Sequence, residues 1–180
     1  LDEYLPMPKE SEQSYHYFMH HHLFDHIDID PKNIHIPDGT LEGDEIDKFC
    51  RDYEKAIDAA GGIDLQILGI GRTGHIGFNE PGSFITSQTR KVFLNDLTIK
   101  DAIKDFGSRN LVPTKAITMG VGTIMQARRV ILMAWGEKKA PIIKATVEGR
   151  VSDSVPATFL QMHSNVQFII DESAASELTR

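Results

Sequence analysis

The 180-residue chain has one cysteine, Cys50, and one tryptophan, Trp135. A single thiol excludes an internal disulfide and fits a reducing, cytoplasmic compartment. Positive charge is in short supply: 19 Lys and Arg stand against 26 Asp and Glu, a formal net charge of −7. Nucleic acid is therefore excluded as the main partner, because a phosphate backbone calls for basic patches. No apolar run approaches the ~20 residues that cross a bilayer, so no membrane association is expected. Internal repeats, low-complexity stretches and linkers are absent. What remains is 41% hydrophobic and 25% charged, an ordinary globular composition with enough apolar material for one core.

Apolar periodicity supplies the elements. Tyr15, Phe18, Met19, His22, His26 and Ile27 fall on one face of a helix over 11–27. Ile46, Phe49, Cys50, Tyr53, Ile57 and Ala60 do the same over 44–60, where Gly61-Gly62 stops the helix. Cys50 is thereby a core residue rather than a nucleophile. Ile63–Leu68 reads as a buried strand. Further extended segments are expected at 91–94, 116–119, 129–135 and 166–170. Helices are expected from a Thr98 cap, over 136–149, and from the acidic start Asp171-Glu172-Ser173. Strands alternating with helices predict an α/β fold, a parallel doubly wound (Rossmann-like) sheet with helices on both faces.

The densest signal follows the 63–68 strand: Gly69-Ile70-Gly71-Arg72-Thr73-Gly74-His75-Ile76-Gly77-Phe78-Asn79-Glu80-Pro81. Its Gly69-x-Gly71-x-x-Gly74 spacing matches a dinucleotide fingerprint, but in that motif the glycines open a helix. Two further glycines and a proline make a helix here unfavourable. The loop instead sets His75 and Glu80 five residues apart at the carboxyl end of a strand, where open α/β sheets place their ligands. A carboxylate partner fixes an imidazole tautomer and stabilises its protonated form, which suits proton transfer; a structural turn histidine is the plainer alternative. His16/His20 and His22/His26 have an i,i+4 spacing that can hold a metal, without a further ligand cluster in the sequence. Gly120-Val121-Gly122-Thr123 leads from strand to helix and suits either an anion or tight packing.

Taken together, the motifs resemble the glucosamine-6-phosphate deaminase (isomerase) family. The matching pieces are Leu1-Asp2-Glu3-Tyr4, Ser14–Met19, Phe24-Asp25-His26, Gly74–Pro81, Ser87–Arg90, Thr118–Thr123 and Val147-Glu148-Gly149. Related 6-phosphogluconolactonases share the Gly-His pair but lack the Phe-Asn-Glu-Pro continuation. The resemblance implies conversion of glucosamine 6-phosphate to fructose 6-phosphate and ammonia, with no cofactor and no metal. It implies a phosphosugar as substrate and a homo-oligomer as assembly. By position, Asp2 is the enolisation base, His75 the ring-opening base, and Glu80 its support. Lys139 matches a phosphate-binding lysine. Lys104 stands where the family has an arginine, with Arg109 as another candidate. Gly71 and Gly74 are expected along the substrate.

Three departures from the pattern shape the expectations. Thr73 replaces an aspartate, removing a charge beside His75 and predicting slower ring opening. Ser83 and Arg90 match residues of an allosteric site, but Phe84 and Val92 replace polar or basic neighbours, which argues against allosteric activation. The family's first strand and phosphate loop have no counterpart before Asp2. That implies a truncated domain over 1–180, an unpaired sheet edge and a poorly ordered Asp2. Two alternatives stand beside the deaminase: a sugar-phosphate lactonase, and a phosphosugar-binding module without catalysis.

Overall fold

The computed structural model of the protein describes residues 1–179. Strand β1 spans Asp2–Leu5, β2 Gln66–Leu68, β3 Arg90–Phe93, β4 Lys115–Thr118, β5 Val130–Ala134 and β6 Val166–Ile170. The parallel α/β sheet expected from the sequence is β2-β5-β6. Helix α4 (Val121–Met125) leads into β5 and helix α5 (Ala140–Glu148) joins β5 to β6, while helix α2 (Asp44–Ala59) precedes β2. Along β5, Val130, Leu132 and Ala134 are buried while the residues between them are partly exposed, the period-two pattern of a strand covered mainly on one face. They pack with Leu68, Ile76, Ile124, Ile143 and Leu160. Each fully buried Leu or Ile contributes about 1.5–3 kcal/mol over an exposed one.

The expectation of one parallel sheet needs an addition. β1, β4 and β3 form a second, antiparallel sheet with β4 in the middle. Alternation of strands and helices does not encode strand direction, so 91–94 and 116–119 read like members of the first sheet. The aromatic ring of Tyr4 fixes this second sheet against helix α3 (Asp96–Phe106). It packs 5.1 Å from Phe78, 5.2 Å from Phe106 and 5.5 Å from Tyr15 between ring centroids. Asp2, expected to be poorly ordered, instead lies in a paired strand opposite Thr118.

Three local readings are corrected. The first helix is shorter than 11–27. Helix α1 runs Tyr15–His22, capped by the Ser14 hydroxyl accepting from Tyr17 N–H, and a single 3-10 turn follows at Phe24–His26. No residue of α1 is fully buried; of the proposed apolar stripe Tyr15 packs against the core, while Phe18 is half exposed. Helix α3 begins three residues earlier than read, with Asn95 and not Thr98 as its cap. Asp171 starts no helix; its carboxylate accepts from Gly136 N–H and Ala174 N–H within a run of turns. Among the described residues, no helix is long and apolar enough to cross a membrane.

Candidate active site

The Gly-rich loop leaves the carboxyl end of β2 and closes on itself. Gly71 N–H donates to the His75 carbonyl at 2.9 Å, and Gly74 N–H to the Gly71 carbonyl at 3.0 Å. No helix follows, which removes the dinucleotide reading. A Cβ at Gly71 would fall inside the imidazole of His75, so only glycine lets the ring lie there. Gly74 (φ +79°) is needed for its backbone conformation. It is packed by Val155 and Ile142 rather than facing the substrate cleft, contrary to its expected place along the substrate.

Asn79 anchors the far side of the loop. It is fully buried, and its amide donates to the carbonyls of Ile76 (2.9 Å) and Met119 (2.8 Å). Its Oδ1 accepts from Arg90, so one side chain ties the loop to β3 and to the residue after β4. This gives the asparagine of the Phe-Asn-Glu-Pro run a physical role, one that sequence reading left unassigned. Arg90 also donates to Ser83 Oγ at 2.9 Å, in a separate groove of about 300 Å³ that includes Phe84 and Val92.

His75, Glu80, Thr73 and Thr98 form one cluster. The His75 Nδ1 lies 2.9 Å from Thr73 Oγ1 and 3.2 Å from Glu80 Oε2. The Thr73 hydroxyl donates to the same Oε2 at 2.9 Å, and the Thr98 hydroxyl to Oε1 at 2.5 Å. Burial by itself would raise the Glu80 carboxyl. The hydrogen bond from His75 and its charge, with both threonine hydroxyls, outweigh burial and hold it below the ordinary glutamate range. An ionised Glu80 only accepts, so the network assigns the proton to Nδ1 and leaves the Nε2 lone pair free to act as a base. Thr98 was read as a helix cap; the threonine in the first turns of α3 gave no sign that it would reach across to residue 80.

A cleft of about 490 Å³ opens beside this cluster. His75, Gly71, Lys139 and Lys104 line it, and so does Asp2 from the start of β1. Thr98 also lines it, whereas Glu80 and Thr73 stand behind the ring. Asp2 approaches Gly77 (φ +55°), where an added Cβ would lie 3.3 Å from Asp2 Oδ2 and 2.8 Å from Thr118 Oγ1. Burial pushes the Asp2 carboxyl up to about 6, with Glu3 adding to the rise and His75 opposing it. Lys139 donates to the Ile70 carbonyl at 2.7 Å, and burial lowers its ammonium from the ordinary lysine range. Arg109 pairs with Asp96 at 2.8 Å on the surface and does not line the cleft, so it is not the missing arginine.

Beyond the cleft, the anion reading of Gly120 yields to packing: a Cβ there would strike the Ser87 carbonyl. The histidines of α1 are grouped but not converging. The His16 and His20 rings stack at 4.6 Å, and His20 Nδ1 lies 3.0 Å from Asp25. Among the described residues, no group of three His, Cys, Asp or Glu side chains is arranged to hold a metal.

A family model for glucosamine-6-phosphate isomerases/6-phosphogluconolactonase matches residues 2–169. A glucosamine-6-phosphate deaminase of Thermoanaerobacter sp. (strain X514) is 51% identical over 176 residues, covering 98% of this chain and 69% of that protein. The deaminase of Shewanella woodyi is 52% identical, covering 99% and 67%. A solved monomeric glucosamine-6-phosphate deaminase superposes with TM-score 0.95 at 42% identity, covering 99% of this chain and 73% of that one. The 6-phosphogluconolactonase of Trypanosoma brucei superposes with TM-score 0.76 at 21% identity, a likeness of fold alone.

Proposed function

The chain belongs to the glucosamine-6-phosphate isomerase/6-phosphogluconolactonase family, and from that premise we propose that it converts glucosamine 6-phosphate and water to fructose 6-phosphate and ammonia. The supporting relatives are deaminases at about half identity, while the lactonases share only the fold. One observation carries the reading beyond names. A carboxyl held at about 6 and an imidazole with a free nitrogen face the same cleft. Groups that exchange protons near neutral pH are what an aldose–ketose shift requires.

In this reading His75 Nε2 takes the proton of the anomeric hydroxyl and passes it to the ring oxygen, which opens the sugar. Glu80 and Thr73 hold Nδ1–H, so the ring keeps its orientation as its charge changes. Asp2 removes the proton from C2 and returns it to C1. As C1 is protonated the amine gives up one proton and the C1 oxygen gains one, which leaves an imine at C2 beside a C1 hydroxyl; water then hydrolyses the imine to the C2 ketone and ammonia. Lys139 and Lys104 face the phosphate, and Gly71 gives the ring its room. No cofactor enters. We place the enzyme in the cytoplasm, with its metabolic substrate and its single thiol.

Every residue used here comes from one chain. The homo-oligomer expected from the resemblance is the finer proposal, and sedimentation checks it; the solved relative at 42% identity is monomeric. The decisive assay is ammonia release from glucosamine 6-phosphate, with His75→Ala as control and 6-phosphogluconolactone hydrolysis in parallel. Lactone hydrolysis without ammonia release would overturn the proposal.

A further inference from the structure

Three cationic side chains line the cleft, and the reading above uses only Lys104 and Lys139. The third, Arg72, is engaged differently from Lys139. Lys139 is anchored by a hydrogen bond from its ammonium to the Ile70 carbonyl, with its remaining donors left for the cleft it lines. Arg72 holds one contact, a single Nη2 to Asp101 Oδ1 ion pair at 3.1 Å with both side chains half exposed. Exposed pairs of that kind contribute about 0.2–1 kcal/mol. Asp101 is therefore a weak partner for a guanidinium, and the fork that could grip an anion bidentately is mostly unspent.

Position adds to this. Arg72 lies in the closed turn between Gly71, on which the His75 ring rests, and Thr73, whose hydroxyl holds Glu80. The turn is tied at both ends by its own backbone hydrogen bonds. The guanidinium and the proton-transfer pair thus share one rigid loop. Asp101 sits across the cleft on α3, one turn beyond Thr98 and one turn before Lys104 and Asp105, all of which line it.

We infer that Arg72 grips the phosphate of the sugar substrate, exchanging Asp101 for the phosphate dianion as the ligand enters. Asp101 acts as a placeholder anion that orients the guanidinium in the empty cleft and competes with the ligand. The inference rests on the phosphosugar reading. It explains how the chain supplies a forked donor although Lys104 stands where its relatives' arginine is expected. The exchange is favourable because a dianion can take two charge-assisted hydrogen bonds from the fork, where Asp101 makes a single ion-pair contact.

Its signature is a pair of substitutions with opposite signs. Calorimetric titration of the full chain with fructose 6-phosphate at low ionic strength measures both. Arg72→Gln weakens binding about 10- to 100-fold, the effect of losing hydrogen bonds between charged groups. Arg72→Lys falls between, keeping charge without the fork. Asp101→Asn tightens binding by about 2- to 5-fold, and does nothing in the Arg72→Gln background. A salt bridge with a merely structural role would lower the melting temperature in both single variants and leave both dissociation constants in place. Arg72→Gln within twofold of the parent, or Asp101→Asn weaker than the parent, overturns the inference. Ammonia release distinguishes the two levels. If ammonia is released and the opposite-sign pattern is missing, this inference alone fails. If the pattern is present without ammonia release, the deaminase reading fails and Arg72 stands as a phosphosugar ligand.

Discussion

The hydroxyl of Thr98, on helix α3, donates to Oε1 of Glu80 at 2.5 Å, and with the other oxygen facing His75 the carboxylate has a defined direction. Two elements far apart in sequence thereby share one charge. Removing the hydroxyl leaves Oε1 without its strongest donor, at a cost of about 1.5–3 kcal/mol for a bond to a charged group. Thr98→Val, nearly isosteric, is expected to lower kcat by about 10-fold or more with KM little changed, and Thr98→Ser to restore it. The same change raises the Glu80 carboxyl, because one of the causes holding it down is gone. Carbon-13 titration of that carboxyl reads the rise directly. A loss in Thr98→Ser with Thr98→Val at the parent rate would show that the methyl packing, not the donor, matters.

Gly71 tests the loop without touching a titratable group. Its φ is not in the left-handed region, so alanine is allowed by the backbone; the obstacle is the His75 ring occupying the place of the new methyl. Gly71→Ala is expected to move the imidazole off Thr73 and Glu80 and to lower turnover about 100-fold or more, the range lost when a proton-transfer group is misplaced. Stability is expected to stay within about 1 kcal/mol, since the turn lies at an open cleft. Proton NMR of the His75 ring checks the displacement, and a wild-type rate would contradict it.

How much of this was legible beforehand depends on whether the information is local. The β2–loop junction, the buried Cys50 and the strand at 166–170 follow from periodicity and from glycine chemistry, both carried by neighbouring residues. The placement of His75 near Glu80 was legible because five residues of turn can close on themselves. Thr98 and Asn79 were not, since each acts on a group 18 to 40 residues away. The antiparallel pairing of β1, β4 and β3 was hidden for a related reason: a strand's sequence records which face is buried, not which way its neighbour runs. The stripe on α1 misled because periodicity shows that a face could be covered, and here Phe18 stays half exposed.

Thr73 invites the reverse experiment. The resemblance predicts that Thr73→Asp restores a charge beside His75 and speeds ring opening. The structure adds a condition, because the Thr73 hydroxyl donates to Glu80 Oε2 at 2.9 Å. An aspartate there would bring a second carboxylate against the first, and one of the two would be pushed up. Turnover is expected to rise on the alkaline plateau and to fall off at a higher pH than in the parent. A pH–rate profile measures both, and an unchanged or lower plateau would refute the benefit of the charge.

Asp2 is the last case, and the one where function and stability pull apart. Burial raises its carboxyl from 3.8 to about 6 in the folded protein. The folded chain therefore holds that proton more tightly than the unfolded chain. Any stability from the group is fully present below about 3.8 and is lost as pH rises through about 6. Above that, the ionised carboxylate is a liability. Because the cleft lets solvent reach it, the penalty is taken as on the order of 2 kcal/mol. Asp2→Asn keeps the β1 backbone pairing with β4 and removes the charge. It is expected to abolish most turnover, by about 100-fold or more, while raising the melting temperature at pH 8 by roughly 4–8 °C. Well below pH 3.8 the two proteins should melt together, since the carboxyl is then neutral in both states. Thermal denaturation across this range decides the matter. A variant that melts lower than the parent at pH 8 would mean that the Asp2 carboxylate is stabilised in place, leaving no reason for its proton affinity to suit the C2–C1 transfer.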